Sequence, residues 1–240
     1  MSVDAVEFVE TALHDVRAPV RNIRQAMEWL AEHLGDADGT AAEYLGLMRE
    51  ATDRIDALAS ALGILGRVAC HLLDVQTWTI DELADDAADR IRSAYPAPWT
   101  LVVAEPRASV RCDRELVVGL LEALFANAVE YRHPSRRLVV IVRVDGLADE
   151  AVVEVTDNGI GLEERYERVV VEPFRRLHTR HEHPGSGLGL TIASQITARH
   201  GGRLDISSVL GESTTVRFSL SPDAPAMRRS RAEPETKELR

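Results

Sequence analysis

The chain is poor in cysteine, in basic relative to acidic charge, and in uninterrupted apolar stretches, and each shortage closes a class of function. Its two cysteines, Cys70 and Cys112, are too few and too far apart for a zinc cluster or a disulfide framework. They read as buried free thiols. Lys and Arg number 28 against 39 Asp and Glu, a formal net charge of −11. That balance argues against a nucleic-acid partner, because binding to phosphodiesters draws on a basic face. No apolar run is long enough to span a bilayer. The N-terminal MSVDAVEFVETALHDV is acidic and amphipathic and lacks the charged, apolar and cleavage regions of a leader in series. The expectation is a cytoplasmic protein with no membrane segment.

What the chain does have is apolar content and periodicity. With 240 residues, 45% of them hydrophobic, two compact units are expected. Val6, Val9, Leu13, Val16, Val20, Ile23, Met27, Leu30 and Leu34 alternate steps of three and four, the spacing of a coiled-coil seam. GDADGT at 35–40 interrupts it, and the stripe resumes at Tyr44, Met48, Ala51, Ile55, Leu58, Leu62, Leu65, Ala69 and Leu72. Two helices of roughly 30 residues, each about 45 Å long, are expected to form a hairpin. One hairpin cannot shield both seams, so a second copy completing a four-helix bundle is expected, making the chain a homodimer.

The second unit mixes strands and helices. WTIDELADDAADRIRSAY reads as a strand-like connector and a helix, and PAPW at 96–99 punctuates the passage onward. TLVVA (100–104) and SVRC (109–112) read as short strands, and Asp113 as the N-cap of an amphipathic helix through Tyr131. RLVVIVRV (137–144) with AVVEVTD (151–157), and RLDIS (203–207) with STTVRFSL (213–220), read as antiparallel pairs. The fold class is therefore α+β, an N-terminal helical hairpin (1–75) followed by a sandwich of helices on one mixed sheet (76–221). The charged, proline-containing tail from Pro222 to Arg240 is expected to be disordered.

Three motifs carry chemistry. DNGIGL (157–162) closes an apolar strand with a carboxylate, Asp157, suited to accept from an exocyclic amine, while Gly159 and Gly161 let backbone approach a flat base. GSGLGL (185–190) opens a helical segment, so Gly187, Leu188 and Gly189 precede unpaired amides and a positive dipole end that suit phosphate oxygens. A lone glycine loop is a common turn; two, flanking an Arg-rich stretch, point to a nucleotide pocket with a lid. In the first helix His14 sits beside Asp15 and one residue past Leu13, an outward position from which an imidazole oriented by a carboxylate can act as a nucleophile. Pro19 removes the hydrogen bond to the Asp15 carbonyl, at a cost of about 3 kcal/mol, which predicts a kink there. His178, His181 and His183 lack the carboxylates or cysteines of a metal site and read as solvated loop residues.

Taken together, HDVRAP, LFANAVEY, DNGIGL, EPFRRLHTRHEHPGSGLGL and HGGRLDISSVLGESTTVRFSL, in this order over residues 3–221, resemble the catalytic core of a two-component sensor histidine kinase. In that family a dimerisation and phosphoacceptor hairpin precedes a GHKL (Bergerat-type) ATP-binding domain, and the wording is nearest soluble, phytochrome-like kinases. The resemblance implies autophosphorylation of His14 at Nε2 with Asp15 as acid/base partner, then transfer to an aspartate of a response-regulator receiver domain. It implies ATP and Mg²⁺, with Asn127 as the metal ligand. Tyr131 would pack near the base, Thr215 would assist Asp157, Arg176 would contact the γ-phosphate, and Phe174 would lean the lid on the hairpin. A sensor, separate or removed, would supply the signal. Four positions depart from the family pattern. Ala123 stands for a second asparagine, Glu130 for a lysine, Val171 for a phenylalanine, and Ala18 for the threonine or asparagine of phosphatase activity. Ala123 and Glu130 leave open a degenerate kinase that serves as a histidine phosphotransfer or nucleotide-binding scaffold.

Overall fold

The computed structural model describes residues 3–34, 39–96, 98–104, 108–147, 150–166 and 188–221, with the side chains of 3–10, 14, 34, 61, 147 and 150 also outside the description. Helices α1 (Val3–Leu34) and α2 (Gly39–Cys70) pair along their lengths. The α1 seam divides in two. Leu13, Val20 and Met27 are 7%, 3% and 3% exposed, whereas Val16, Ile23 and Leu30, the alternate positions, are 43–47% exposed. One heptad row is therefore spent inside the hairpin and the other is left facing outward. On α2 the buried row is Leu45, Thr52, Ala59 and Gly63, one step beside the expected stripe, while Met48, Ile55 and Leu62 are exposed. The offset has a packing cause. Small residues allow close approach, and a Cβ on Gly63 would sit 3.2 Å from Leu13 Cδ1. The hydroxyl of Thr52 is satisfied locally by the Met48 and Arg49 carbonyls. Arg24 bridges the helices to Asp53 and Asp56 at 3.0 and 2.5 Å. α1 continues as α-helix through Pro19.

The second unit follows as β1 (Val75–Thr79), α3 (Ile80–Ala94), β2 (Thr100–Val103), β3 (Ser109–Asp113), α4 (Arg114–Glu130), β4 (Val139–Leu147), β5 (Glu150–Asp157), α5 (Gly189–Arg199), β6 (Leu204–Val209) and β7 (Ser213–Leu220). α2 ends at Cys70 and β1 starts at Val75. The main sheet runs β2-β4-β5-β7-β6, parallel between β2 and β4 and antiparallel elsewhere. Its alternation is clean. Val140, Val142, Val153, Val155, Val216 and Phe218 are buried in one core with Leu121, Leu124 and Phe125 of α4. Arg143, Glu154 and Arg217 pair on the other, solvated face. One expectation changes: β1 and β3 form a separate two-stranded ribbon rather than joining a single mixed sheet. Strand propensity shows in the residues, but a non-local pairing partner does not.

Asp113 ties the two units together. Its carboxylate accepts from the amides of Leu116 and Asp74 and lies 2.7 Å from His71 Nε2, and its own amide donates to His200 Nε2 at 3.0 Å. Burial opposes its charge, but the two amides and the His71 imidazole outweigh burial and hold its carboxyl below the usual range. From α5, the Arg199 guanidinium donates to the Ala69 carbonyl at 3.2 Å and to that of His71, capping the end of α2.

Candidate functional site

The N-cap at Asp113 starts α4, and 17 helical residues later the chain leaves at Tyr131, whose amide donates to the Asn127 carbonyl. This places Asn127 in the last turn. Gly189 is the first residue of α5, and a Cβ there would lie 3.1 Å from Asn127 Oδ1, 3.2 Å from its Nδ2 and 3.4 Å from the Ala123 carbonyl. The second glycine loop and the asparagine helix thus meet in space, though 62 positions separate the two residues in sequence. Leu188 is buried, and its carbonyl accepts from Ile192 at 2.9 Å in the first turn of α5. Gly187 and Arg176, with Phe174, Val171 and the lid histidines, lie outside the described residues.

The first glycine loop leaves β5 against the same helix end. Ile160 donates its amide to the Tyr131 carbonyl at 2.9 Å, and Gly159 donates to Asp157 Oδ1 at 2.7 Å. Both glycines are required by the protein's own packing. A Cβ on Gly159 would lie 2.5 Å from the Tyr131 carbonyl oxygen, and one on Gly161 (φ +62°) would lie 2.1 Å from that of Val209. At both positions the protein's own backbone occupies the space a side chain would need. Asn158 secures the other side, its Oδ1 accepting from the Val139 amide and its Nδ2 donating to the Arg137 carbonyl. Arg136 donates to four carbonyls around the loop.

Asp157 is the site's electrostatic centre. Burial pushes its carboxyl from 3.8 up to about 6, against the opposing pull of the Gly159 and Thr214 amides and of Arg136. A carboxylate held in such a place is a poised acceptor for a donor brought by a ligand. The assignment of Thr215 is corrected by strand register. Asp157 is paired across the ladder with Thr214, and Thr156 with Thr215. Directly opposed residues share a face and successive ones do not, so Thr215 lies with Thr156, their hydroxyls 3.0 Å apart, on the far side of the sheet. Thr214, adjacent to Ser208 at 3.1 Å, is the threonine on the side of Asp157. Arg136, Asn158, Ser208 and Thr214 join the loop only in the fold. Their signal is conformational and absent from motif spacing.

A cleft of about 910 Å³ lies at the Asn127 end of α4, and Asp157 and the first glycine loop do not line it. Asn127, Ala123 and Gly189 line one part of it, and Ile64 and Val68 of α2 another, with Arg90 and Glu122 at 3.4 Å on its wall. His14 lies in α1 between buried Leu13 and exposed Asp15, and Leu13 contacts α2 at Gly63, one residue before the cleft-lining Ile64. Glu130 also lines the cleft.

Residues 112–224 match the family described as histidine kinase-, DNA gyrase B-, and HSP90-like ATPase. The match covers just under half of the chain. Among its relatives, sensor-type histidine kinase PrrB of Mycobacterium leprae is 32% identical over 227 residues, covering 90% of this chain and 48% of that protein. Cyanobacterial phytochrome B of Nostoc sp. is 28% identical over 216 residues, covering 89% and 29%. Among solved structures, the mycobacterial sensor histidine kinase MprB aligns over 61% of this chain and 96% of its own at a TM-score of 0.51 and 25% identity. Full-length ShkA, crystallised with AMPPNP, shares the fold at a TM-score of 0.61 over 90% of this chain and 45% of its own, at 20% identity. The chain spans about a quarter to a half of the length of the curated relatives it matches. No described helix is long and apolar enough to cross a membrane.

Proposed function

We propose that the chain is the core of an ATP-dependent protein histidine kinase that phosphorylates its own His14 and passes the phosphoryl group to an aspartate of a receiver domain. One observation carries the reading: Asn127 and Gly189 meet beside a cleft that extends to α2 near the level of His14. In this reading Asp157 accepts from the adenine amine, Tyr131 flanks the base, and the amides opening α5 after Gly187 and Leu188 receive phosphate oxygens. Asn127 offers a carboxamide oxygen, a fit for Mg²⁺, which keeps several waters and takes few protein ligands. Bound there, the ion would offset phosphate charge. The neutral His14 Nε2 lone pair attacks the γ-phosphorus, an N–P bond forms as the bond to the β-bridging oxygen breaks, ADP leaves, and Asp15 takes the Nδ1 proton. Arg176 from the lid would steady the charge in transit.

The outward half of the heptads, Val16, Ile23 and Leu30 with Met48, Ile55 and Leu62, supports a homodimer built on the hairpin. A cytoplasmic location follows from the partner class. Ala123 keeps a second reading in view, since beside Gly189 it offers a methyl where a second asparagine is usual. A relay that accepts phosphate at His14 without using ATP fits that loss. Incubation of the chain with γ-labelled ATP and Mg²⁺ separates the two readings. Label that is lost in acid and kept in base supports the kinase. Absence of label, with His14 phosphorylated by a phospho-receiver, supports the relay.

A further inference from the structure

We infer that Arg136 is a positioning residue of the base-recognising loop, fixing Asp157–Gly161 against the β6–β7 turn and so setting discrimination between purine bases. The inference rests on the nucleotide reading of the site. Arg136 lies between the end of α4 and the start of β4. Its Nε donates to the Asn158 carbonyl at 2.7 Å, and its Nη2 to the carbonyls of Gly159, Gly211 and Glu212 at 2.7, 2.8 and 2.8 Å. Two of these acceptors belong to the loop after β5 and two to the turn before β7. The same segments are tied directly by Gly211 N to the Ile160 carbonyl at 2.6 Å and by Leu162 N to Ser208 Oγ at 2.9 Å. A planar guanidinium can serve acceptors converging from several directions in its plane, whereas a lysine ammonium is a point donor.

The geometry bears on specificity because Asp157 takes its direction from this loop. Its Oδ1 is held by the Gly159 amide, and Arg136 grips the Gly159 carbonyl on the other side of the same residue. Adenine offers an amine at its six position, which a carboxylate accepts; guanine offers a carbonyl there, which a carboxylate repels. A carboxylate fixed in direction distinguishes the two, and one on a slack loop does not. Arg136 has a second, separable effect. Asp157 is faced by Arg136 from the approach to β4 and by the Gly159 and Thr214 amides, and the guanidinium pulls its titration down against the upward push of burial.

Arg136→Ala and Arg136→Lys separate these roles. ATP and GTP are titrated into the full chain from pH 5 to 8, with thermal unfolding of each protein in parallel. The expected result for Arg136→Ala is about a tenfold or greater loss of ATP affinity, a fall of the ATP-to-GTP ratio toward one, and an upward move in the pH midpoint of ATP binding. Arg136→Lys, which keeps the charge without the fork, loses discrimination while holding the midpoint, and it decides the matter if the alanine variant does not fold. A folded variant whose ATP-to-GTP ratio stays within twofold of the parent, or which loses both nucleotides equally, overturns the inference. A parent chain that binds no ATP overturns the nucleotide reading itself, and the inference with it.

Discussion

Replacing Asp157 by asparagine should make the protein more stable at neutral and alkaline pH while disabling base recognition. Burial raises this carboxyl from 3.8 in the unfolded chain to about 6 in the folded one. A folded value above the unfolded value means that the ionised group disfavours folding. Stability is complete below pH 3.8 and declines as pH rises through about 6. The rise of about two pH units corresponds to about 3 kcal/mol at pH 8. Asparagine is close to isosteric, stays neutral and can keep the acceptor that Gly159 uses, but weakens the contact with the Thr214 amide, which offsets about 1 kcal/mol. A net gain of about 2 kcal/mol at pH 8, falling to a net loss of about 1 kcal/mol below pH 3.8, is expected from urea unfolding across that range. ATP affinity should fall at least about tenfold in the same variant. A stability difference that does not grow with pH, or a variant weaker than the parent at pH 8, would refute the assignment of Asp157 as a strained, functional carboxylate.

The thiols should react unequally. Burial, aided by neighbouring Asp113, pushes Cys112 up to about 12, so at pH 8 a thiol reagent is expected to label half-buried Cys70 readily and Cys112 only after denaturation. Gly161→Ala places a methyl into the Val209 carbonyl at a positive φ, and a loss of about 3 kcal/mol or more, measured by denaturant unfolding, is expected from the backbone displacement. Ile23→Glu with Ile55→Glu puts charge on the outward heptad row and should convert a dimer to a monomer in sedimentation experiments. The helical signal of the hairpin should survive there, because the inward row is untouched.

The residues that reveal themselves in the sequence are those whose constraint is local. The apolar alternation of β5 and β7, the cap at Asp113 and the α1 period each follow from neighbours a few positions away. So did the boxes around Asn127, Asp157 and Gly189, which recur with fixed spacing. Constraints that span the fold leave no such local mark. The apolar stripe of α2 lies one step from its buried row because Thr52, Ala59 and Gly63 serve close approach to α1 rather than hydrophobicity. The resemblance implies Thr215, and only the β5–β7 register shows that Thr214 is the threonine sharing the face of Asp157. Arg136 carries no motif signal, because its four carbonyl partners converge on it only in the folded chain. The lid reading on Arg176 and Gly187 lies outside the described residues.

The central claim is that His14 is the phosphoacceptor of a chain that uses ATP itself. The direct measurement is labelling from γ-labelled ATP and Mg²⁺ in the parent and in His14→Gln, with ATP affinity and thermal unfolding measured on both. The account predicts acid-labile label on the parent and none on a variant that folds and binds ATP as the parent does. Equal labelling of the two proteins, or label that survives acid, would contradict it.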